Sequence, residues 1–313
     1  MKFVNSAASG AVWVAEVVEM YDVVVVGGGA AGLNAALVLA RARRRVLVVD
    51  AGEPRNQPAA HMHGFLSRDG MPPGELLAVG REEIARYGAE VRAGRAESVR
   101  REGAGFVVGL ADGSEVAGHR LVVTTGLRDE LPEVEGLRER WGADVAACPY
   151  CHGWEVRDQP LGVLGTDPRG AHQALMVRQW SADVVFFGSG LDEPDRAKLL
   201  ARGIRVVDSD VVKVLVEDDK LVGVELADGS HVARSALFVP TGLSVNDGLL
   251  GQLGAEHTAD GRTTVPGVYA AGNVVDPMAQ VVIAAAQGAK AAMTLNNDLV
   301  LAEATLDRRV HGL

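Results

Sequence analysis

The sequence predicts an α/β protein built from two related nucleotide-binding domains, and three observations lead to this fold class. Residues 21–50 read as a strand, a glycine-rich loop, a helix and a second strand. Residues 161–187 repeat this order, with a strand predicted at 161–164, a turn, a helix at 171–180 and a strand at 184–187. Residues 109–127 and 225–243 align without a gap, and each copy contains Ala-Asp-Gly-Ser and ends in Thr-Gly-Leu. Since repeats of this size indicate duplicated structural units, we predict two Rossmann-like domains.

The first domain begins with a dinucleotide-binding fingerprint. An apolar strand at 21–26 is followed by GGGAAG at 27–32, by a helix predicted over 33–44, and by a strand at 46–49 that leads to Asp50. The glycines let the backbone turn sharply and approach a pyrophosphate, which sits at the positive helix N-terminus, and the acid accepts from a ribose hydroxyl. The predicted cofactor contacts in this stretch are Gly27, Gly29, Ala30, Ala31, Gly32, Asp50 and Ala51.

A second candidate site is CPYCHGW at 148–154, which contains the only two cysteines of the chain. Cys148 and Cys151 can close a small-loop disulfide, and a C-x-x-C pair can also stabilise a thiolate near neutral pH. A structural zinc site needs four ligands, and no second Cys or His pair follows at short spacing. We therefore favour redox chemistry and expect no metal, with zinc binding or an inert pair as the alternatives.

The composition argues against several classes of protein. The 313 residues are 48% hydrophobic and carry a net charge of -10, which suits about two domains with ample cores. An acidic balance argues against nucleic acid and anionic membrane surfaces, and no apolar run approaches the roughly 20 residues of a membrane span. We expect a cytoplasmic protein, because one pair of cysteines does not make the disulfide scaffold of a secreted chain. Residues 1–19 are a poor secretory signal and are predicted to be a peripheral extension.

The repeat also predicts the domain boundaries. Each Asp-Gly pair marks a tight hairpin turn, and each copy ends in an apolar strand and a Thr-Gly that suits a chain crossing between domains. We predict a discontinuous first domain made of residues 20–127 and 241–313. Residues 128–240 would form the second domain, which carries both cysteines.

The second domain departs from the fingerprint of the first. Between its first strand and its helix stands GTDPRG at 165–170, where Asp167 takes the place of the middle glycine. A carboxylate there opposes a pyrophosphate in both shape and charge, although Arg169 could offset one charge. After the second strand, residues 188–190 read Gly-Ser-Gly, without an acid for a ribose or an arginine pair for a 2′-phosphate. We therefore do not expect NADPH to bind.

These motifs together resemble the low-molecular-weight thioredoxin reductase family of flavoproteins. The resemblance rests on GGGAAG with Asp50, on the TTG and PTG segments, on CPYC, and on YAAGN followed by Asp-Pro, and it covers nearly all of the chain after Met20. It implies two three-layer ββα domains, FAD in the discontinuous domain, a C-x-x-C disulfide beside the flavin, and a homodimer. Asn273 stands where the family usually has Asp. Further FAD contacts are placed at Arg55, Asn56, His63, Thr125, Gly126, Gly272, Asn273, Gln280 and Val281.

Two departures from that family change the predicted function. His152 follows the second cysteine where the family has Asp, and the NADPH signature is lost. Both are features of the dithiol oxidases of gliotoxin- and holomycin-type pathways, which CPYCHGWE and HMHGF also resemble. The resemblance implies that Cys148 is attacked by a small-molecule dithiol, that Cys151 lies next to FAD, and that O2 is reduced to H2O2. His152 suits the proton step because imidazole titrates near neutral pH.

Several alternatives stay open from the sequence. The chain could be an NADPH-dependent thioredoxin reductase, a reductase fed by another donor such as ferredoxin, or a flavin-bearing redox sensor without turnover. His152 could be a packing residue. The loop that holds His61 and His63 could be a solvated connection instead of part of a ligand site.

Overall fold

The computed structural model describes residues 3–4, 14–15, 20–165 and 168–311. The chain forms two compact units: the first comprises Met1–Glu53, Leu77–Gly126 and Val245–Leu313, and the second comprises Pro54–Leu76 and Leu127–Ser244. Most of the predicted extension at 1–19 lies outside the described residues. Its two short strands pair antiparallel, with Phe3 opposite Ala15.

Short strands and a smaller number of helices make up the described part of the chain. The strands are β1 (Phe3–Val4), β2 (Val14–Ala15), β3 (Met20–Val26), β4 (Val46–Asp50), β5 (Glu90–Ala93), β6 (Ala96–Glu102), β7 (Gly105–Leu110), β8 (Glu115–Val123), β9 (Leu127–Glu130), β10 (Val145–Ala146), β11 (Leu161–Leu164), β12 (Val184–Phe187), β13 (Arg205–Val207), β14 (Val211–Glu217), β15 (Lys220–Leu226), β16 (His231–Ala233), β17 (Ala236–Phe238), β18 (Gly242–Val245) and β19 (Val268–Ala270). The helices are α1 (Ala30–Arg41), α2 (Pro73–Ala85), α3 (Pro149–His152), α4 (Gly170–Val177), α5 (Glu193–Ala201), α6 (Gly248–Leu253) and α7 (Val281–His311), with short 3₁₀ turns at Arg138–Arg140 and Gly272–Val274.

A seven-stranded sheet forms the centre of the first unit. Its order is β5-β4-β3-β8-β7-β6, and β19 also pairs with β8. The strands β5, β4, β3, β8 and β19 run parallel, whereas β7 and β6 continue from β8 as an antiparallel meander. Since β3 lies between two parallel neighbours, the glycine loop leaves the sheet at the carboxyl end of a central strand, where nucleotides bind in this class of sheet.

Alternating side chains of β3 divide the core of the first unit into two layers. Val23 and Val25 pack with apolar residues of α1, α2 and α7, while Val24 and Val26 pack with the meander and α6. Successive residues of a strand point to opposite faces, so the parallel sheet is covered by helices on one face and by strands on the other. The predicted three-layer fold class is confirmed.

The second unit repeats this division. Its parallel sheet has the order β10-β17-β11-β12-β13, and β14-β15-β16 form a separate antiparallel meander. Val185 and Phe187 pack with the meander, and Val184 and Phe186 pack with α4 and α5. Both predicted domains therefore have the same layered design.

The two copies of the internal repeat form the same turn but continue differently. In each turn a Leu N–H donates to a Ser carbonyl at 2.9 Å, from Leu110 to Ser114 and from Leu226 to Ser230. In the first copy β8 is one nine-residue strand, whereas the second copy is divided into β16 and β17. The division falls at Arg234, which is 7% exposed and donates to the Asp183 carboxylate at 2.7 Å. The guanidinium of this pair is buried and its carboxylate is 57% exposed, and the pair lies at the point where the second copy departs from the first.

Candidate active site

The two cysteines lie on one short helical turn of the second unit. α3 begins directly after Cys148, and Pro149 occupies its first turn, where a missing N–H removes no helical hydrogen bond. The N–H groups of Cys151 and His152 both donate to the Cys148 carbonyl, at 3.1 and 3.2 Å. This turn brings the Cα atoms of the two cysteines to 5.2 Å, and the structure joins them in a disulfide.

His152 ends this turn, and its ring lines a cavity of about 170 Å³ together with Cys151. Its Nδ1 atom is buried and has no hydrogen-bond partner among the described residues. Burial lowers the pKa of His152 below the ordinary value of 6.5; Glu155 and a hydrogen bond with the Cys148 backbone act in the opposite direction, and His63 lowers it further. The ring is therefore neutral at pH 7 and can accept a proton.

The cavity combines an apolar floor with a polar rim, and its lining residues all belong to the second unit. Val156, Leu237 and Phe238 supply apolar surface, while His63 and Glu155 contribute polar groups. A dry apolar cavity of about 150 Å³ accommodates a benzene ring, so this volume suits one small ring system. The arrangement offers a disulfide sulfur and a neutral imidazole to a small molecule.

The segment 54–76 corrects one predicted boundary. The sequence placed it in the first domain, but it belongs to the second unit. Gly142 approaches it so closely that an added Cβ would lie 2.7 Å from the Pro58 backbone. His63 also pairs with Glu155, at 3.4 Å. These contacts join residues that are distant in the sequence. They explain why 54–76 belongs to the second unit and not to the predicted first domain.

Three predicted cofactor contacts, Arg55, Asn56 and His63, therefore lie in the second unit. The Arg55 guanidinium donates to the Asp129 carboxylate through Nε and Nη2, at 2.7 and 2.8 Å. Its role toward a cofactor, like those of Asn56 and His63, stays a prediction.

Two residues of this region were missed from the sequence. Glu155 and Asp69 each place a carboxylate 3.4 Å from the His63 ring. Glu155 follows His152 by three residues, about one helical turn, and Asp69 begins an Asp-Gly turn signal. Both signals were present, but nothing local indicates that the two carboxylates meet at one histidine.

The glycine loop of the first unit has the steric requirements of a phosphate-binding turn. Gly27 has a φ of +109°, and a Cβ on it would lie 2.3 Å from the Thr124 carbonyl oxygen. A Cβ on Gly32 would lie 1.8 Å from the Gly27 carbonyl oxygen, so helix and strand can meet only at glycine. Gly29 has nothing within 4 Å of its Cβ position, which leaves this side of the loop open.

The start of α1 fits the pyrophosphate of FAD. Its N-cap residue is Gly29, and no side chain caps the first turn, which begins with Ala30 and Ala31. The first N–H groups of a helix have no intrahelical partner and favour an anion. The residues present therefore fit the phosphate end of the cofactor that the sequence predicts.

Asp50 is placed at the end of β4 as predicted, but it already has protein partners. Its Oδ1 accepts from the N–H groups of Gly28 and Gly52, both at 3.2 Å, and its Oδ2 accepts from Arg81 at 3.0 Å. A carboxylate has about four acceptor positions, so one is left for a ribose hydroxyl. Ala51 follows directly and is exposed.

Thr125 and Gly126 lie where the chain leaves the first unit. The Thr125 hydroxyl donates to the Asn246 carbonyl at 2.6 Å, and the Asn246 amide donates back to the Thr125 carbonyl at 2.9 Å. The Asn246 N–H also donates to the Gly126 carbonyl at 3.0 Å. These bonds fix the outgoing strand against the returning one, and contact with a cofactor stays a prediction for both residues.

Asn273 shapes the loop in front of α7. Its Nδ2 donates to the carbonyls of Asp276 and Ala279, at 3.0 and 2.9 Å, and lies 3.4 Å from that of Pro277. Carbonyls only accept, so this atom must be the amide nitrogen. The other predicted contacts here lie beside this loop: Gly272 at its start, and Gln280 and Val281 at the start of α7.

The nucleotide turn of the second unit is described only in part. Thr166 and Asp167 lie outside the described residues, so the prediction for Asp167 stays a prediction. After β12, the N–H and hydroxyl of Ser189 donate to the Asp210 carboxylate, at 3.2 and 3.1 Å. Arg169 donates to the Thr241 carbonyl at 2.6 Å. The Asp210 carboxylate thus binds segment 188–190, the segment in which the sequence lacks an arginine pair.

Neither a metal cluster nor a membrane span occurs in the part of the chain that the structure describes. No group of three or more His, Cys, Asp or Glu side chains there could hold a metal ion. Within the same residues, no helix has both the length and the apolar character needed to cross a bilayer.

The fold and the site define a disulfide oxidoreductase with two nucleotide-type domains, one with an open glycine loop and one with a C-x-x-C disulfide. A family model described as pyridine nucleotide-disulphide oxidoreductase matches residues 21–288, and the chain belongs to this family. The resemblance to thioredoxin reductase-like flavoproteins is confirmed, and the family implies FAD.

Individual relatives agree with this assignment. Thioredoxin reductase sirT of Leptosphaeria maculans is 30% identical over 307 residues, which cover 88% of this chain and 94% of that protein. The crystal structure of HlmI is 53% identical, covers 94% of this chain and 98% of its own, and has a TM-score of 0.89. A match of 179 residues to "Probable thioredoxin reductase" of Arthroderma benhamiae is 35% identical and spans 55% of this chain but 44% of that protein. The chain thus matches less than half the length of that relative.

Proposed function

We propose that this protein is an FAD-dependent dithiol oxidase that closes a disulfide within a small-molecule, holomycin-like dithiol, with O2 as the electron acceptor. The observation that carries the proposal is the cavity that holds Cys151 of the disulfide beside His152, whose buried Nδ1 lacks a partner among the described residues. A buried polar atom without a partner is costly, and a substrate thiol would supply one. The 53% identity to HlmI, a holomycin-related structure, supports the proposed class of substrate.

The chain's own residues account for the exchange of electrons and protons. One substrate thiolate attacks the disulfide, which breaks the Cys148–Cys151 bond and forms a mixed disulfide. The family resemblance assigns the attacked sulfur to Cys148, whereas Cys151 is the cysteine that lines the cavity. The second substrate thiol attacks the substrate sulfur, which releases a cyclic disulfide and leaves both cysteines reduced. His152 accepts the thiol proton, since burial keeps its ring neutral at pH 7. Bound FAD would supply the two-electron redox chemistry that returns the two cysteines to the disulfide, with O2 as the final acceptor and H2O2 as its product.

Residues of the first unit would hold the FAD. The open turn at Gly29 and the N-terminus of α1 would receive the pyrophosphate, and the free acceptor position of Asp50 would receive the ribose. Asn273 would present the loop before α7 to the flavin end. These residues bind and orient the cofactor.

NADPH is not expected to serve as the electron donor. The segment 188–190 lacks an arginine pair, and Asp210 binds Ser189 within it. Nearby, the Arg196 guanidinium is paired with Asp208. Recognition of a 2′-phosphate requires free guanidinium groups, but the carboxylates of Asp208 and Asp210 lie in this region instead.

The second candidate function is an NADPH-dependent, or other donor-dependent, thioredoxin reductase that acts on a protein disulfide. The name of the sirT relative favours it. The volume of the cavity favours a small molecule, because a protein disulfide approaches on a loop and does not need a recess of about 170 Å³.

We further propose a homodimer in the cytoplasm. Met293, Val300 and Leu301 of α7 are apolar and exposed, and they recur along one side of the helix at intervals of seven and eight residues. Such a row is typical of a helix that packs on a partner.

Anaerobic mixing of the FAD-loaded protein with dithiothreitol, and separately with NADPH, tests the proposed function. Dithiothreitol should bleach the flavin absorbance, and admitted air should restore it with one H2O2 formed per dithiol oxidised. The Cys151→Ser protein should keep its flavin and lose this reaction. Fast bleaching by NADPH, with slow or no bleaching by the dithiol, would assign the chain to the reductases instead. No reduction by any dithiol or donor would favour the redox sensor.

A further inference from the structure

His63 lies between two carboxylates at the rim of the cavity that contains Cys151 and His152. Its Nδ1 is 3.4 Å from the Asp69 carboxylate, and its Nε2 is 3.4 Å from Glu155. The three side chains differ in exposure: 23% for His63, 43% for Glu155 and 66% for Asp69. The three side chains therefore form a row that runs from Glu155 at the rim of the cavity, through His63, to the largely solvent-exposed Asp69.

The loop around His63 is closed by its own hydrogen bonds, which fix the direction of the ring. Met62 and Gly70 are linked by a backbone bond of 2.9 Å, and the Met62 N–H donates to the Met71 carbonyl at 3.0 Å. The Asp69 carboxylate accepts from the Gly64 N–H at 2.9 Å. That bond and the nearby His63 lower the pKa of Asp69, so its carboxylate stays ionised and can accept a hydrogen bond from Nδ1 of His63. Nε2 is left to exchange a proton with Glu155.

The same groups act on His152 electrostatically. Burial lowers the pKa of His152 most; the negative charge of Glu155 raises it, and His63 lowers it. Glu155 follows His152 in the sequence by three residues, and all three side chains line the same cavity. A proton placed on His152 thus has an acidic neighbour on the way to solvent.

Two more titratable side chains line the cavity but are engaged elsewhere. His61 has its Nδ1 3.0 Å from the Gly70 carbonyl. Asp144 is held by Arg140, at 2.8 and 2.6 Å, and by the Leu221 N–H at 2.8 Å. Neither is arranged to pass a proton between His152 and the exterior.

We propose that Glu155, His63 and Asp69 form the route by which the thiol proton taken up by His152 leaves the cavity for solvent. His63 is then a positioning residue that acts through His152, and it need not touch the substrate. The inference rests on the proposed function, in which each substrate dithiol gives two electrons to the Cys148–Cys151 bond and releases two protons. The relay moves one of these protons and no electrons, so its loss slows the exchange without changing the products.

The test follows disulfide reduction in the FAD-loaded protein under anaerobic conditions, with dithiothreitol as the probe. The rate is read both from flavin bleaching and from alkylation of the freed cysteines, over a range from about pH 5 to about pH 8. His63→Gln should slow the reaction about tenfold or more, and imidazole added to the buffer should restore much of the rate. His61→Gln, on the same cavity wall, is the matched control and should react like the wild type.

The pH profile separates a relay from a merely structural role. The rate should rise with pH as His152 loses its proton. We call this rising part of the pH–rate profile the acid limb. Since His63 lowers the pKa of His152, His63→Gln should move this limb to higher pH. Since Glu155 raises the pKa, Glu155→Gln should move it to lower pH.

Defined outcomes would overturn the relay. An unchanged rate and limb in both variants would do so, and so would a slow His63→Gln protein that imidazole does not rescue. Loss of flavin from His63→Gln would assign His63 to the cofactor instead. If that variant does not fold, Asp69→Asn should still slow the reaction, and a wild-type rate would reject the route. Failure of the proposed function is distinct, because the wild-type protein would then not react with the dithiol.

Discussion

Replacing His152 by alanine should slow the reduction of the Cys148–Cys151 disulfide by a dithiol about 100-fold while leaving the fold intact. General acid–base catalysis by a positioned side chain contributes typically about 10²–10⁴-fold. The lower end is expected here, because Glu155 lines the same cavity and can accept a proton through water. A factor of about 100 corresponds to about 2.7 kcal/mol of activation free energy.

The stability of the His152→Ala protein should fall only modestly. Nδ1 of His152 makes no hydrogen bond among the described residues. The substitution therefore breaks no hydrogen bond at this atom. The substitution removes the packing of a half-buried ring and its hydrogen bond with the Cys148 backbone, which together typically cost about 1–2 kcal/mol. Thermal unfolding and the flavin-to-protein absorbance ratio are the controls; the unfolding temperature should fall only modestly, and the absorbance ratio should match the wild type closely.

The assay is anaerobic stopped-flow absorbance with dithiothreitol, repeated across the pH range. Because burial lowers the pKa of His152, the wild-type acid limb should lie below pH 6.5, and the rate should fall as pH decreases through it. The limb should be absent from His152→Ala. A wild-type limb above pH 6.5, or turnover by the variant at the full rate, would refute the reasoning and remove His152 from the proton step.

Two further substitutions test the glycine loop and the loop before α7. Gly32→Ala places a Cβ 1.8 Å from the Gly27 carbonyl oxygen, so this variant should lose flavin binding. The control is Gly74→Ala in α2, where an added Cβ meets nothing within 4 Å. This control should keep the flavin and gain up to about 1 kcal/mol of stability. A yellow, stable Gly32→Ala protein would contradict the predicted site. Asn273→Asp removes the amide donor to two carbonyls, so it should cost about 2 kcal/mol of unfolding free energy, as measured by thermal unfolding. Asn297→Asp, on the exposed side of α7, is the control and should unfold like the wild type.

The elements that could be predicted from the sequence are those that local patterns determine. The strand at 161–164 and the strand at 184–187 were predicted with their observed bounds, whereas the helix predicted over 33–44 begins and ends three residues earlier, as α1 (Ala30–Arg41). The C-x-x-C spacing likewise predicted that a disulfide was possible, because four residues of helix bring the two Cα atoms within range.

The features that escaped prediction depend on partners far away in the chain. Residues 54–76 join the second unit through approaches such as that of Pro58 to Gly142, which no local pattern encodes. The break between β16 and β17 coincides with the pairing of Arg234 with Asp183, a residue that lies outside the aligned repeat. For the same reason Glu155 and Asp69 were missed as neighbours of His63.

The interrupted second copy of the repeat has a consequence for how the two units open. In the first unit β8 belongs to both the meander and the parallel sheet, so a continuous ladder of hydrogen bonds couples them. In the second unit β16 and β17 are separate strands, and the meander β14-β15-β16 can unfold locally while the parallel sheet persists. Amide protons of β15 should therefore exchange with solvent deuterium faster than those of β7, and the second unit should behave as two cooperative folding units where the first behaves as one.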